Sequence, residues 1–337
     1  MTLTWLDPAN LDRRDVDGAV AVLEASRELE APHEPQLTPN WLRANLNHGW
    51  DGDPPEAAVY RESGRVIAVL KTWMPKWDNR HFAEVNVTVD PECRRRGLGR
   101  ELFEIGLRKV RDAGRTVVYS DCATGTAGEP FLEAMGLTKA SEYANRGQDL
   151  LTLDLAQLEK GLAAAMSKAD GYELVRMPDR VPDEFMDQVV RMTAAINDAP
   201  LDDLKMDDEV FSADRIRAFE AAHAAYGRRM YRLVAREKAT GDFAGHTIVA
   251  VLADQPWHGR QYDTSVLRAH RGHRLGYALK AAMLLWLREE EPQLRQVYTW
   301  NAASNAHMIA VNEELGYRVV ATGYGYQRDY AAQPQAE

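Results

Sequence analysis

Cysteine is scarce in this chain: Cys93 and Cys122 are the only two in 337 residues, too few for a disulfide framework or a multi-thiolate metal site. A reducing, cytoplasmic interior is the expected location. Basic charge is also short, with 41 Lys and Arg against 51 Asp and Glu and a net charge of −10. Nucleic-acid binding rests on neutralised phosphates, so this balance argues against that class. It suits a cationic small substrate, although solubility alone accounts for it more simply. Long apolar runs are missing. No stretch reaches the roughly 18 residues of a membrane span, and the opening MTLTWLDPANLDRR sets Asp7 and Pro8 where a signal peptide needs an unbroken apolar core. No membrane partner is expected.

What remains has the composition of an ordinary globular protein, 45% hydrophobic and 27% charged. At about 150 residues per domain the length predicts two domains. An internal repeat agrees. EVNVTVDPECRRRGLGRELFEIGL from Glu84 aligns without a gap on QYDTSVLRAHRGHRLGYALKAAML from Gln261, setting Val89 on Val266, Arg94 on Arg271, Leu98 on Leu275 and Gly99 on Gly276. Downstream, a β-rich run and FLEAMGL ending at Leu137 in the first copy match Val297 to Trp300 and VNEELGY ending at Tyr317 in the second. Upstream, strands near Ala58–Tyr60 and Val66–Trp73 match strands near Met230–Arg236 and Phe243–Leu252. The join falls in a short helix and turn around residues 155–171, which predicts domains 1–158 and 159–337. A further helix is expected at about Ser212–His223, the acidic stretch DAPLDDLKMDDE before it reads as an exposed loop, and AAQPQAE at the end reads as unstructured.

The chemistry concentrates at Arg94, Arg95, Arg96, Gly97, Leu98, Gly99 and Arg100, between the apolar strand Val85–Val89 and a helix marked by Leu98, Leu102 and Ile105 on one stripe. Three arginines at a helix N-terminus oppose the macrodipole, and a bound pyrophosphate would remove the conflict. Glycines at 97 and 99 let the backbone approach such an anion, leaving the first-turn N–H groups as donors. An exposed basic turn whose glycines serve chain geometry is the alternative reading.

In this setting, Val-Asp-Pro followed by Arg-x-x-Gly-x-Gly at a helix start resembles the acyl-CoA signature of the GNAT N-acetyltransferases. The signature occurs twice, so the chain resembles a tandem GNAT, similar in layout to mycothiol synthase. The resemblance implies an α/β (α+β) fold of two domains, each a mixed β-sheet splayed at its fourth strand and flanked by helices. It implies acetyl-CoA as co-substrate. The pantetheine arm would lie along Val87, Thr88 and Val89, with the pyrophosphate held by the turn from Arg94 to Arg100. In the second copy Val266, Arg271, Gly272, His273, Arg274, Leu275 and Gly276 take these places, with Arg274 standing where the family has its first glycine. Asn305 matches a position where the family contacts CoA, and capping the following helix would select the same residue. His270 and His273 sit three apart in a turn without further close ligands, so no metal is expected.

Acetyl transfer to an amine needs a base near the nitrogen. Glu84 begins the fourth strand, where many GNATs place one, and Asn86 and Thr88 share its face by alternation. The second copy puts Gln261 at that position, with Asp263 two residues on as its candidate base. Either carboxylate could instead be a strand-end group satisfied by backbone. Leu132 and Asn312 occupy the place of the family's tyrosine acid, leaving Tyr143, Tyr324, Tyr326 or solvent to protonate the thiolate. Trp41, Trp50, Trp73 and Trp77 suggest an aromatic rim, or simply core.

The reading these residues support is direct acetyl transfer to a small amine in a ternary complex, by a monomer or homodimer. The rivals are a non-catalytic acyl-CoA sensor or scaffold and an antibiotic-modifying or mycothiol-synthase-like acetyltransferase.

Overall fold

The computed structural model describes residues 2–177 and 179–330; the segment after Tyr330, read above as unstructured, lies outside them. The first copy of the repeat opens with β1 (Thr2–Trp5), α1 (Arg13–Glu30) and α2 (Pro39–His48). Asp12 caps α1 and Thr38 caps α2, each side chain accepting from a first-turn N–H. A tight turn with Ser63 and Gly64 both at positive φ joins β2 (Glu56–Glu62) to β3 (Arg65–Trp73). Then come β4 (Phe82–Val89), α3 (Leu98–Asp112), β5 (Val117–Ala123), α4 (Gly128–Ala134) and β6 (Thr138–Asp149).

The second copy follows as α5 (Leu155–Lys168), β7 (Tyr172–Met177), α6 (Met186–Thr193), α7 (Ala213–Ala225), β8 (Arg228–Glu237), β9 (Phe243–Leu252), β10 (His258–Val266), α8 (Leu275–Glu290), β11 (Gln296–Ala302), α9 (Ala306–Glu314) and β12 (Arg318–Asp329).

These elements form two compact units whose sequences interleave. Unit 1 holds the chain up to Tyr143, Leu201–Asp208 and the chain from Ala321; unit 2 holds Ala144–Pro200 and Glu209–Val320. A boundary at 158/159 follows the order of the repeats, whereas the last strand of the chain, from Ala321, lies in unit 1. There it pairs antiparallel with β5, from Gly323 opposite Ala123 to Asp329 opposite Val117. The acidic segment, read above as a loop, is irregular from Leu201 to Asp208, and that part belongs to unit 1. Asn79 exchanges two hydrogen bonds with Asp207, at 2.7 and 3.2 Å, and Gln327 accepts from the Lys205 N–H at 3.0 Å.

In unit 1 the strand order is β1-β2-β3-β4-β5-β12, and in unit 2 it is β6-β11-β10-β9-β8-β7. Both sheets are mixed, because β4–β5 and β10–β11 are parallel while β3–β4 and β9–β10 are antiparallel. In unit 1, α3 covers one face through Leu70, Val85 and Phe103, and α1 with α2 covers the other through Val16, Leu42, Val59 and Val69. Gly106 lets α3 sit this close, since a Cβ there would meet Val85 at 2.7 Å and Leu70 at 2.9 Å. In unit 2, α8 and α5 cover one face, and α6 and α7 the other.

Each sheet splits at its parallel pair. β4 and β5 pair only over Phe82–Val117, Ala83–Val118 and Glu84–Tyr119, although β4 runs on to Val89 and β5 to Ala123. β10 and β11 likewise part after Arg260–Tyr298. From Val85 to Val89, therefore, β4 is paired on its β3 side alone.

The two splits differ by one residue. The β9–β10 register shifts between Gln261 and Thr264, a bulge that β3–β4 lacks. The repeat offset that fits Val89 on Val266 is therefore one too long upstream. By strand pairing Glu84 corresponds to Arg260 and Val85 to Gln261, while Tyr262 and Asp263 together stand where the first copy has Asn86 alone.

Candidate active site

In unit 1 the apex of the split carries a polar face. Glu84, the last residue of β4 to meet β5, is half-buried and accepts from the Asn86 side-chain amide, whose oxygen accepts from Ser120 Oγ at 2.8 Å. On β5, Tyr119 stands against Phe82, with ring centroids 5.6 Å apart, and Asp121 accepts from the Tyr143 hydroxyl at 3.0 Å. Burial pushes the Glu84 carboxyl above its ordinary range; the Asp121 charge adds to this, while Lys71 and the Asn86 amide oppose it. Asp121 is raised for the same first reason and Tyr143 is raised with it. Two neighbouring carboxylates held above their usual pKa form an acceptor-rich surface suited to an ammonium or amine. Asp121 and Lys71 were not singled out in the sequence. Asp121 follows the β5 run by one residue, and strand alternation would have placed it on the Tyr119 face.

At the other end of the split lies the basic turn. Gly97, at φ +83°, caps α3 without a side-chain hydrogen bond. Among the described residues the Leu98, Gly99 and Arg100 N–H groups have no hydrogen-bond acceptor, which leaves them as anion donors. The arginines divide into two kinds. Arg94 donates to the Val89 carbonyl at 3.1 Å, to Glu30 at 2.6 Å and to Ser26 at 3.1 Å, tying the end of β4 to α1. Arg96 grips Glu62 with two bonds, at 2.6 and 3.1 Å. Arg95 and Arg100 are exposed. The charge expected to lack compensation at this helix start is thus largely offset within the chain by Glu30 and Glu62. The expectation failed because both carboxylates lie more than 30 positions away in sequence.

The Acetyltransferase (GNAT) family description matches residues 22–136 and again 197–317. The chain belongs to the GNAT acetyltransferases. Among solved structures, a tandem GNAT protein from the clavulanic acid biosynthesis pathway is 27% identical, with a TM-score of 0.79 over 99% of this chain and 100% of that one. A GCN5-related N-acetyltransferase from Sphaerobacter thermophilus has a TM-score of 0.67 at 15% identity over 97% and 95% of the two chains. A fungal glucosamine N-acetyltransferase region has a TM-score of 0.68 at 13% identity, covering 96% of this chain and 38% of that one. No curated protein sequence matches significantly. The tandem GNAT architecture and the mixed sheets accord with the sequence reading.

The second GNAT turn repeats the first with its glycine moved. Arg271 donates to the Val266 carbonyl at 3.0 Å and to Asp198 at 2.5 Å, as Arg94 does to Val89 and Glu30. Each turn has two left-handed residues, Arg95 and Gly97 in unit 1, Gly272 and Arg274 in unit 2. Arg274 therefore adopts the conformation of Gly97 while its guanidinium pairs with Glu314 at 2.6 Å over the Tyr277 ring. His273 lies 5.4 Å from the Tyr172 ring, and His270 shares a 3.0 Å hydrogen bond with the Tyr172 hydroxyl. No group of His, Cys, Asp and Glu able to hold a metal occurs among the described residues, and no helix is long and apolar enough to cross a membrane.

The bulge also separates Gln261 from Asp263. Gln261 turns toward α8, while Asp263 feels the Arg232 and Arg215 guanidiniums on the opposite face. Burial raises the Asp263 carboxyl and those arginines offset part of the rise. Asn305 caps α9, accepting from the Met308 N–H at 3.2 Å. Leu132 and Asn312 are both buried, so neither place offers an acid. Trp73 and Trp77 donate to the carbonyls of Asp53 and Asp51, each at 3.2 Å, and Trp73 stands opposite Glu84 on the neighbouring strand.

Proposed function

We propose that this GNAT transfers an acetyl group from acetyl-CoA to a small amine at the unit 1 split, with Glu84 as general base. The observation that carries the reading is the unpaired β4 edge from Val85 to Val89, bounded by a carboxylate at one end and open first-turn N–H groups at the other. The pantetheine arm takes the place of the missing strand, bonding to backbone at Val87, Thr88 and Val89. The diphosphate sits on the turn from Arg94 to Arg100, on the N–H groups of Leu98, Gly99 and Arg100, with the exposed Arg95 supplying charge.

The amine, bound against Glu84 and Asp121, loses its proton to Glu84, directly or through water, and attacks the thioester carbonyl within a ternary complex. The C–N bond forms as the C–S bond breaks. The departing thiolate takes a proton from solvent or from a hydroxyl such as that of Tyr143, which is hydrogen-bonded to Asp121. In unit 2, Val266, Arg271–Gly276 and Asn305 would hold CoA, and Asp263 would serve as base. Unit 1 is the better candidate for chemistry, because its carboxylate stands at the apex while Arg260 takes that place in unit 2. Thiol release with a panel of cationic amines tests the reading. Turnover that Glu84→Gln reduces 100-fold or more while acetyl-CoA still binds is expected, a magnitude typical of general-base loss.

A further inference from the structure

Beneath the unit 2 split the interior is polar where unit 1 is apolar. Leu70, Val85, Val87 and Phe103 form the underside of the first split; strand pairing and the repeat put Thr247, Gln261, Thr264 and Lys280 in their places. The four residues are joined. Thr247 and Thr264 share a 2.7 Å hydrogen bond, Gln261 Nε2 donates to Thr247 at 2.9 Å, and Lys280 Nζ donates to Gln261 Oε1 at 3.2 Å. Gln261 follows Arg260, the last residue of β10 paired with β11, so this chain of contacts lies at the apex of the split.

Lys280 is 1% exposed, and among the described residues no carboxylate pairs with it. Its ammonium lies 4.7 Å from the ring of Tyr317, which replaces Leu137 of the first copy. The Tyr317 hydroxyl is fully buried without a hydrogen-bond partner, and so is the side-chain oxygen of Asn312, which replaces Leu132. Burial alone brings Lys280 down to about 7. A cation kept inside with no counter-charge, beside unpartnered polar oxygens, costs stability that an apolar residue would not.

We propose that unit 2 is built for an acyl-CoA whose acyl chain ends in a carboxylate, with Lys280 as the counter-charge and the Tyr317 hydroxyl as a second donor. This rests on the reading that the split takes acyl-CoA. Phe103 makes the corresponding place in unit 1 suited to a short apolar acyl group. The two splits then select different thioesters by the charge beneath their apices.

Calorimetric titration of the full chain with acetyl-CoA, butyryl-CoA and succinyl-CoA tests this. Succinyl-CoA is expected to show a binding event at least tenfold tighter than butyryl-CoA of similar length. Lys280→Met is expected to remove that preference while acetyl-CoA binding to unit 1 persists, and a melting transition no lower than that of the parent shows that the variant folds. Lys280→Gln serves where the methionine variant does not fold. Equal affinities in the parent, or a preference that survives both substitutions, overturns the inference and leaves acyl-CoA binding standing. No binding of any thioester overturns both.

Discussion

At Glu84 two effects compete, burial and the Asp121 charge raising its pKa, Lys71 and Asn86 lowering it, and burial wins. A carboxyl raised on folding binds its proton more tightly in the folded state, so its contribution to stability is lost as pH rises through that raised value. Glu84→Gln is therefore expected to hold or raise the melting temperature at neutral pH while turnover falls. For the intact enzyme, kcat/KM should climb with pH through a value above the usual glutamate range and then level. Lys280 carries the opposite sign. Its pKa is lowered, so folding is opposed most fully below about 7 and progressively less toward 10.5. Removing the charge should stabilise unit 2 by up to about 5 kcal/mol, read from Lys280→Met melts across pH.

Element geometry explains which site residues could be read from sequence. The basic turns and their helices were legible, because apolar spacing and paired glycines announce them. The bulge was not: Tyr262 and Asp263 add one extra residue to a β-strand pattern, and an ungapped alignment that fits Val89 on Val266 hides it. Gln261 consequently looked like the Glu84 counterpart when it is the Val85 counterpart. Lys280 on Phe103 was visible in the same alignment, as a charge inside an apolar helix run. The partners of Arg94 and Arg271 come from elements remote in sequence, Glu30 and Asp198. Arg274 offers a further check at this scale. A non-glycine left-handed residue costs about 1–2 kcal/mol, and its half-exposed pair with Glu314 returns about 0–1 kcal/mol. Arg274→Gly should therefore stabilise the protein by roughly 1 kcal/mol in denaturant melts.

For the whole molecule the order of repeats is not the order of folding units. The repeat and the two domains were readable in the sequence, but nothing local marks the last strand as a partner of β5, since strand pairing over 200 residues leaves no short-range signal. Without residues from Ala321, β5 loses its antiparallel neighbour and presents a bare edge. The fragment 1–158 is expected to aggregate or to lack a cooperative melt, and removal of the chain from Ala321 should abolish acetyl-CoA binding at unit 1. A soluble, cooperatively folding 1–158 that binds acetyl-CoA would contradict this assignment.

The central claim, that the unit 1 split and its turn hold acetyl-CoA, is tested most directly by titrating acetyl-CoA calorimetrically into the full chain and into Arg95→Glu. Arg95 is exposed and outside the ion pairs that brace the turn, so the substitution should leave the melt unchanged. It should weaken one binding event more than tenfold, by setting a repelling charge beside the diphosphate. Identical isotherms for the two proteins, or no binding to either, would contradict the claim.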